Sequence, residues 1–372
     1  MPERPALIVV SISARALAWS ARRAGYAPLA IDVFGDCDTL SASADAICLT
    51  GGFANGFEEG ALMHALEAML AKHDPVGAVY GGGFDDRPEL IAAIGGRLRV
   101  FGNDAATMAR VKDPGELSRL CARLGVLHPE TSLEPPAVRS GWLTKRRGAC
   151  GGAHIRDAAL ADFAADDYYF QRPVSGESCS ALFAANGWDI EIIGLTTQWV
   201  APIGLQMFRY GGAVGPIDLP QAQAAKIRHA VAALSKEFGL VGINSADFIV
   251  GDGAVWLIEI NARPGATLDV FDSSHNPLVA HHMAACDGRP RRFAAQGSIV
   301  AAATVYAPRD MTIRNHFEWP DWGADRSPSG TSIACGEPLC TVRATGATAD
   351  AARLCVGERA HSIVGLIGNA AA

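Results

Sequence analysis

The segment Trp256-Leu257-Ile258-Glu259-Ile260-Asn261-Ala262-Arg263-Pro264-Gly265 sets a carboxylate, an amide and a guanidinium at alternate positions of an apolar run. In an extended strand, residues two apart point to the same side, so Glu259, Asn261 and Arg263 share one face. Carboxylate and amide oxygens are hard ligands suited to Mg²⁺, an ion that also takes oxygens from substrate phosphates. A guanidinium holds a phosphoryl or carboxylate oxygen pair. Upstream, Ser245-Ala246-Asp247-Phe248-Ile249-Val250 reads as a second acidic strand, joined to the first by the turn Gly251-Asp252-Gly253. Such a hairpin sets Asp247 opposite Glu259, one carboxylate serving one metal ion and the other bridging two. The competing reading, a hairpin with surface acids, accounts less well for three polar groups that interrupt an apolar strand on one side.

Two further segments carry polar groups suited to a nucleotide. Lys145 closes a short strand and precedes Arg146-Arg147-Gly148-Ala149-Cys150-Gly151-Gly152. Backbone N–H groups of a small-residue loop face an anion, and the ammonium adds charge. Gly-Lys-Ser/Thr is absent, so this is not a P-loop; a surface turn with solvated basic residues is the plain alternative. Tyr168-Tyr169-Phe170-Gln171-Arg172-Pro173-Val174-Ser175-Gly176-Glu177 reads as a strand entering a hinge. Its backbone can pair with an adenine edge, and Glu177 can accept from ribose hydroxyls or stand as a surface acid. His275, His281 and His282, with Asp269 and Asp272 nearby, read as a polar helix before they read as a second metal site. Cys150 has no evident partner base, and Trp319 and Trp322 suit a packed loop.

These groups need a scaffold. In the first hundred residues, strands expected at 6–11, 27–33, 46–49 and 76–80 alternate with helices at 13–24, 58–72 and 87–94, the pattern of a doubly wound parallel sheet. No Gly-x-Gly-x-x-Gly follows the first strand, so a dinucleotide site is not supported. After Tyr80 comes Gly81-Gly82-Gly83-Phe84-Asp85-Asp86-Arg87. Ligands bind beyond the carboxyl ends of such strands, which makes Gly83 and Asp85 candidate substrate contacts; a plain glycine turn is the alternative. A helix at 114–124 ends at Gly125, a natural C-cap. The predicted units are a doubly wound domain at 1–110, a small subdomain with a linker helix at 111–175, a larger α+β subdomain at 176–290, and a β-rich tail at 291–372 ending in a helix at 349–360 and a strand at 362–367.

The chain has 372 residues, enough for several domains. Its net charge of −7 carries no basic block, which excludes nucleic acid as the main partner. No apolar run is long enough to span a bilayer, and the start lacks a signal-peptide pattern, so a cytoplasmic location is expected without a membrane partner. The nine cysteines are scattered and never form Cys-x-x-Cys, as expected of reduced thiols rather than a zinc site.

The order of these parts resembles the ATP-grasp superfamily: a doubly wound domain, a lysine with a glycine loop, a Gln-x-x-Val-x-Gly hinge, then an acid strand and Glu-Ile-Asn-x-Arg-Pro. The resemblance covers most of residues 1–290 and is most specific at Asp247 with Glu259 to Pro264. It implies ATP-dependent, ADP-forming joining of a carboxylate to an amine through an acylphosphate, with small-molecule acid and amine partners and a homodimer. By the same resemblance, Lys112 and Lys145 bind ATP phosphates and Gly148, Gly151 and Gly152 close over them. Gln171, Arg172, Pro173 and Val174 hold adenine, and Glu177 holds ribose. Asp247, Glu259 and Asn261 bind two Mg²⁺, for which Mn²⁺ can substitute, and Arg263 steadies the transferred phosphoryl group, with Lys145 as the second catalytic cation. Departures exist: Arg146 stands where proline is common, Gln171 where many members carry an acid, Ala262 where proline often precedes the arginine, and Asp247 where glutamate is frequent. More narrowly, 80–88 and Phe208-Arg209-Tyr210-Gly211-Gly212 resemble the tyramine–glutamate ligase branch linked to methanofuran-type cofactors. That match implies that Arg209 and Tyr210 meet a substrate carboxylate and ring. A small-molecule kinase on the same ATP site, a non-catalytic ATP-binding regulator and a scaffold protein are the alternatives.

Overall fold

The computed structural model describes residues 4–50, 56–161, 167–251, 253–289, 291–294 and 296–368; Asp252 of the expected turn and Pro290 near the expected boundary lie outside them. The first domain is a five-stranded parallel sheet of β1 (Ala6–Val10), β2 (Ala27–Asp32), β3 (Asp45–Cys48), β4 (Pro75–Tyr80) and β5 (Val100–Phe101), in the order β3-β2-β1-β4-β5. Helices α1 (Arg15–Arg23), α2 (Cys37–Ala42), α3 (Glu59–Leu70) and α4 (Pro88–Gly95) connect the strands. Alternation along β1 explains the two covered faces: Ile8 and Val10 enter one apolar core, Leu7 and Val9 the other.

Two helices lead out of this domain, α5 (Ala105–Val111) and α6 (Pro114–Leu124). Asp113 caps α6 through the Glu116 N–H, Pro114 opens it, and Gly125 closes it at φ 67°, a conformation glycine adopts without a Cβ penalty. A small antiparallel sheet follows, β6 (Thr131–Ser132), β7 (Leu143–Arg146), β8 (Arg156–Asp157) and β9 (Tyr168–Gln171), ordered β6-β9-β7-β8 over Trp142, Ala158 and Phe170.

The large sheet has eight antiparallel strands. They are β10 (Glu177–Asn186), β11 (Ile190–Val200), β12 (Tyr210–Gly215), β13 (Val241–Gly251), β14 (Ala254–Asn261), β15 (Ile299–Tyr306), β17 (Gly323–Ala324) and β19 (Pro338–Gly346), in the order β14-β13-β10-β11-β12-β15-β19-β17. A short ribbon pairs β16 (Met311–Thr312) with β18 (Ser332–Ile333). Helices α7 (Gln221–Phe238), α8 (Leu268–Phe271), α9 (Leu278–Cys286) and α10 (Ala349–Gly368) cover the sheet. The 291–372 segment contributes β15, β17 and β19 to the large sheet and forms the β16–β18 ribbon beside it.

The expected strand at 362–367 is helical, the last part of α10. Its β-branched residues suggest a strand, but Ala352, Val356, Ile363 and Ile367 recur at helical spacing and bury one stripe against β15 and β19. The first domain is fastened to the large sheet by Asn103. Its Nδ2 donates to Asn244 Oδ1 at 2.8 Å and to the Ala262 carbonyl at 2.9 Å, and its Oδ1 accepts from the Val241 N–H at 2.9 Å. This places the loop after β4 beside the residues that follow β14.

Candidate active site

The β13–β14 register pairs Asp247 with Glu259 and Ser245 with Asn261. Between Asp247 and Phe248 the register shifts, leaving Ile258 unpaired. Before this bulge Val255 and Leu257 face the core; after it Ile260 and Ala262 do. One extra residue thus changes which side chains face inward, and it does so at the carboxylate pair, as bulges next to functional sites re-aim side chains.

Two carboxylates on opposed positions repel. Burial, then Glu259, push the Asp247 carboxyl up to about 7, against a smaller opposing pull from Ser180. Burial also works to raise Glu259, but Lys112 and Lys145 outweigh it and hold that carboxyl below its ordinary value. Asp247 Oδ1 is buried with no hydrogen-bond partner, while about a third of the Glu259 side chain stays open (34 %). An orphaned carboxylate oxygen facing a second, accessible carboxylate fits a divalent cation, which would satisfy the one and neutralise both. Asn261 completes the set: its Nδ2 donates to Asp247 Oδ2 at 3.1 Å and its Oδ1 accepts from Lys112 Nζ at 2.8 Å.

Lys112 is the C-cap of α5 and is drawn into this acid cluster, 3.1 Å from Asp85 Oδ1 and 3.9 Å from Glu259 Oε2. Burial acts against its charge, and Asp85 and Glu259 overcome that effect, so its pKa lies above the ordinary value. Arg263, just past the end of β14, donates through Nε to Asp85 Oδ2 at 2.6 Å. Asp85 is 3 % exposed, and the two cations hold its pKa down despite its burial.

Lys145 projects from β7 and is buried. Its Nζ donates to Gln171 Oε1 at 2.6 Å, because β7 and β9 are antiparallel neighbours with Leu143 opposite Gln171. Burial depresses the Lys145 pKa, while Glu259 and Asp247 oppose the shift. Gln171 Nε2 reaches Thr131 Oγ1 at 3.2 Å and lies 3.4 Å from His128 Nε2. The Gln171 amide is thus engaged with Lys145 and the small sheet. Beyond it the hinge is open: Arg172, Pro173 and Glu177 are exposed and Val174 is half-buried. Arg172 stacks on Trp142 and donates to the Gly141 carbonyl at 3.0 Å.

The 148–152 loop is held between the first domain and the large sheet. Gly148, Gly151 and Gly152 all have positive φ, at 65°, 72° and 72°. A Cβ on Gly148 would lie 2.5 Å from Asp86 Cα, and one on Gly152 would lie 2.0 Å from the Phe208 carbonyl oxygen. Tyr210 N–H donates to the Gly151 carbonyl at 2.9 Å. Only glycine fits these close backbone approaches.

Other expected contacts are placed differently. Gly83 packs on Ile12 and Phe57, and Asp85 is an internal counter-ion rather than an open substrate contact. Arg209 is spent internally: Nε donates to the Ala201 carbonyl, Nη1 to the Gly336 carbonyl, and the guanidinium lies 3.6 Å from the centre of the Tyr306 ring. Tyr210 is half-buried at the start of β12. The histidines do not converge. His282 accepts from the Ile243 N–H and meets the Phe101 carbonyl, His281 packs on Phe293, and His275 is exposed. His128 and His154 were not singled out from sequence. Burial lowers both to about 4, and His154 has a buried Nδ1 without a partner. Ala153-His154 directly follows the loop, a proximity that offers the one sequence signal for His154.

Residues 117–267 match the ATP-grasp domain. Over 86 residues the chain is 33% identical to the carbamoyl phosphate synthase large chain of Thermoplasma volcanium, a match covering 23% of this chain and 8% of that protein. In fold the chain is similar to the biotin carboxylase domain of a single-chain bacterial carboxylase, with a TM-score of 0.69 and 16% identity over 96% of this chain and 88% of that one. It is also similar to phosphoribosylamine–glycine ligase from Thermotoga maritima, with a TM-score of 0.68 and 15% identity over 96% of each chain. At these identities the likeness to solved structures is one of fold. Lys145, the 148–152 loop, Gln171, Asp247, Glu259, Asn261 and Arg263 all fall inside the matched segment, whereas Asp85 and Lys112 lie before it. Residues 117–267 thus match an ATP-grasp domain, within a fold that nearly the whole chain shares with these solved structures.

Proposed function

We propose that the protein is an ATP-dependent, ADP-forming ligase that joins a small-molecule carboxylate to an amine through an acylphosphate. The observation that carries this reading is the facing pair Asp247 and Glu259, with its orphaned oxygen, set among Lys112, Lys145 and Arg263. Asp247, Glu259 and Asn261 would hold Mg²⁺, or Mn²⁺ in its place; the ion supplies charge neutralisation on the phosphates when bound. Lys145 adds a buried cation that Gln171 orients, and the 148–152 loop offers backbone N–H groups while excluding water. Arg263, fixed from behind through Nε, presents its other N–H groups to the transferred phosphoryl group or the acylphosphate oxygen. No side chain needs to become covalently modified; the work is positioning and charge stabilisation. The open hinge at 172–174 suits adenine and Glu177 suits ribose.

On this reading the working units are 1–110, 111–175, 176–290 and 291–372, and the protein acts as a cytoplasmic homodimer. All nine cysteines are free, and among the described residues no helix is long and apolar enough to cross a membrane. Addition of glutamate to an amine in cofactor biosynthesis is the finer proposal, supported by the segments 80–88 and 208–212. Since Asp85 and Arg209 are engaged internally, the exposed parts of these loops would carry its substrate selection.

Phosphorus NMR of the products made from Mg-ATP with pooled amino acids and amines tests the reaction class. Equal amounts of ADP and orthophosphate are expected. A stable phosphorylated product without orthophosphate would reassign the protein as a kinase.

A further inference from the structure

We infer that Asp85 is a positioning residue, through which the first domain orients Arg263 and Lys112 and ties the ATP-grasp site to the loop after β4. The inference rests on the ligase reading for its kinetic consequence and on geometry for its contacts. Asp85 Oδ2 accepts from Arg263 Nε at 2.6 Å, and Oδ1 lies 3.1 Å from Lys112 Nζ. All three side chains are at most 8 % exposed. One carboxylate therefore anchors two cations that arrive from different elements, the end of α5 and the residues after β14.

The Asp85 loop is rigid on the first-domain side. Phe84 is fully buried against Tyr80 and Phe57, and Gly82 accepts from the Ile12 N–H at 2.9 Å. Tyr80 Oη in turn donates to the Asn103 carbonyl at 2.6 Å, the residue that fastens Ala262. Arg263 is thus held at both ends, by its backbone neighbour Ala262 and by its guanidinium. Asp85 takes Nε, so the terminal nitrogens are left to other partners, Nη1 donating to the Pro264 carbonyl at 3.3 Å. The same loop seats the glycine loop, because Gly148 lies against the Asp85 carbonyl and Asp86 Cα, and Arg146 comes within 3.5 Å of Asp86. A first-domain carboxylate can therefore set both the aim of Arg263 and the floor on which the glycine loop closes.

The test compares wild-type protein with Asp85→Asn, Asp85→Glu, Arg263→Gln and the double variant Asp85→Asn/Arg263→Gln. Orthophosphate release from Mg-ATP is measured with the acid and amine pool that supports wild-type turnover. Asp85→Asn should lower kcat about a hundredfold, as expected when a catalytic group is displaced by about 1 Å, with the KM for ATP held within about threefold. The double variant should lose less than the product of the two single losses, since Asp85 acts in part through Arg263. Hydrogen exchange should quicken at 81–87 and at 262–267 together in Asp85→Asn. If Asp85→Asn does not fold, Asp85→Glu carries the test, with reduced kcat at an unchanged melting temperature. Wild-type kcat in the folded variants, or additive losses in the double variant, would overturn the inference. Silence of the wild-type enzyme with every pool would instead sink the ligase reading. The exchange measurement then decides for Asp85: coupled quickening supports the tie, and unchanged exchange removes it.

Discussion

Asp247 and Glu259 face each other across two strands, and the cost of that arrangement shows in the raised carboxyl of Asp247. A pair kept under repulsion with one oxygen unpartnered is better explained by a cation it serves than by packing. Asp247→Asn and Glu259→Gln should each lower Mg-ATP-dependent turnover about a thousandfold, as loss of several kcal/mol of charge stabilisation implies. Steady-state kinetics at saturating Mg-ATP checks this, and turnover within tenfold of wild type would remove the pair from the site. Alternation along one strand made Glu259, Asn261 and Arg263 readable from sequence, since period two needs no knowledge of the fold. The partners of Arg263 were not readable that way. Asp85 is far away in the chain, and only the packing of two domains shows that its carboxylate faces a guanidinium instead of a substrate. Arg209 fails for a related reason: nothing local reveals that the Gly336 carbonyl and the Tyr306 ring will take its guanidinium.

Turns and caps decide how these side chains are presented. The 148–152 loop sits in left-handed backbone at three glycines and touches the Phe208 carbonyl. Gly152→Ala adds a left-handed cost of about 1–2 kcal/mol and a backbone clash, so ATP binding should weaken about tenfold or more. The same strain should lower the melting temperature without nucleotide by several degrees, and calorimetric titration of the folded variant with Mg-ATP gives the answer; wild-type affinity would mean the loop does not close over nucleotide. Helix α2 offers a pH test. Asp36 caps it by accepting from the Asp38 and Thr39 N–H groups, yet burial, then Asp325, raise its carboxyl to about 7. A raised folded-state pKa contributes stability that is full below the unfolded value and is lost as pH rises through about 7. Asp36→Asn keeps the cap and removes the charge, so it should stabilise the protein by about 1–2 kcal/mol at pH 8 and by less at pH 5.5. Thermal melts at both pH values decide, and a less stable variant at pH 8 would refute the assignment. Elements with a clear period and a cap, such as α6 from Pro114 to Gly125, were legible in advance. The end of α10 was not, because its β-branched residues match a strand until Ile363 and Ile367 find their sheet.

The candidate site draws on both the first domain and the large sheet. Asn103 makes the join through side-chain hydrogen bonds to Asn244, Ala262 and Val241. Asn103→Ala leaves the Val241 N–H and the Ala262 carbonyl without that partner, and each orphaned group costs about 1–3 kcal/mol. A drop of that size in denaturant-derived stability, with ATP turnover reduced alongside it, is expected; unchanged stability would show that the join lies elsewhere. The doubly wound domain was legible because apolar runs and helical periods alternate along it, although the short helix α2 between β2 and β3 was not read. That the last eighty residues extend the central sheet was not, because β15 joins it by pairing with the distant β12 and β19 follows through β15. The most direct test of the whole account is orthophosphate release from Mg-ATP by purified protein, with pooled carboxylic acids and amines, beside a Glu259→Gln control. Release that requires one acid and one amine together, and is lost in the control, is the predicted result. Release that persists in Glu259→Gln, or that never depends on an acid with an amine, would contradict it.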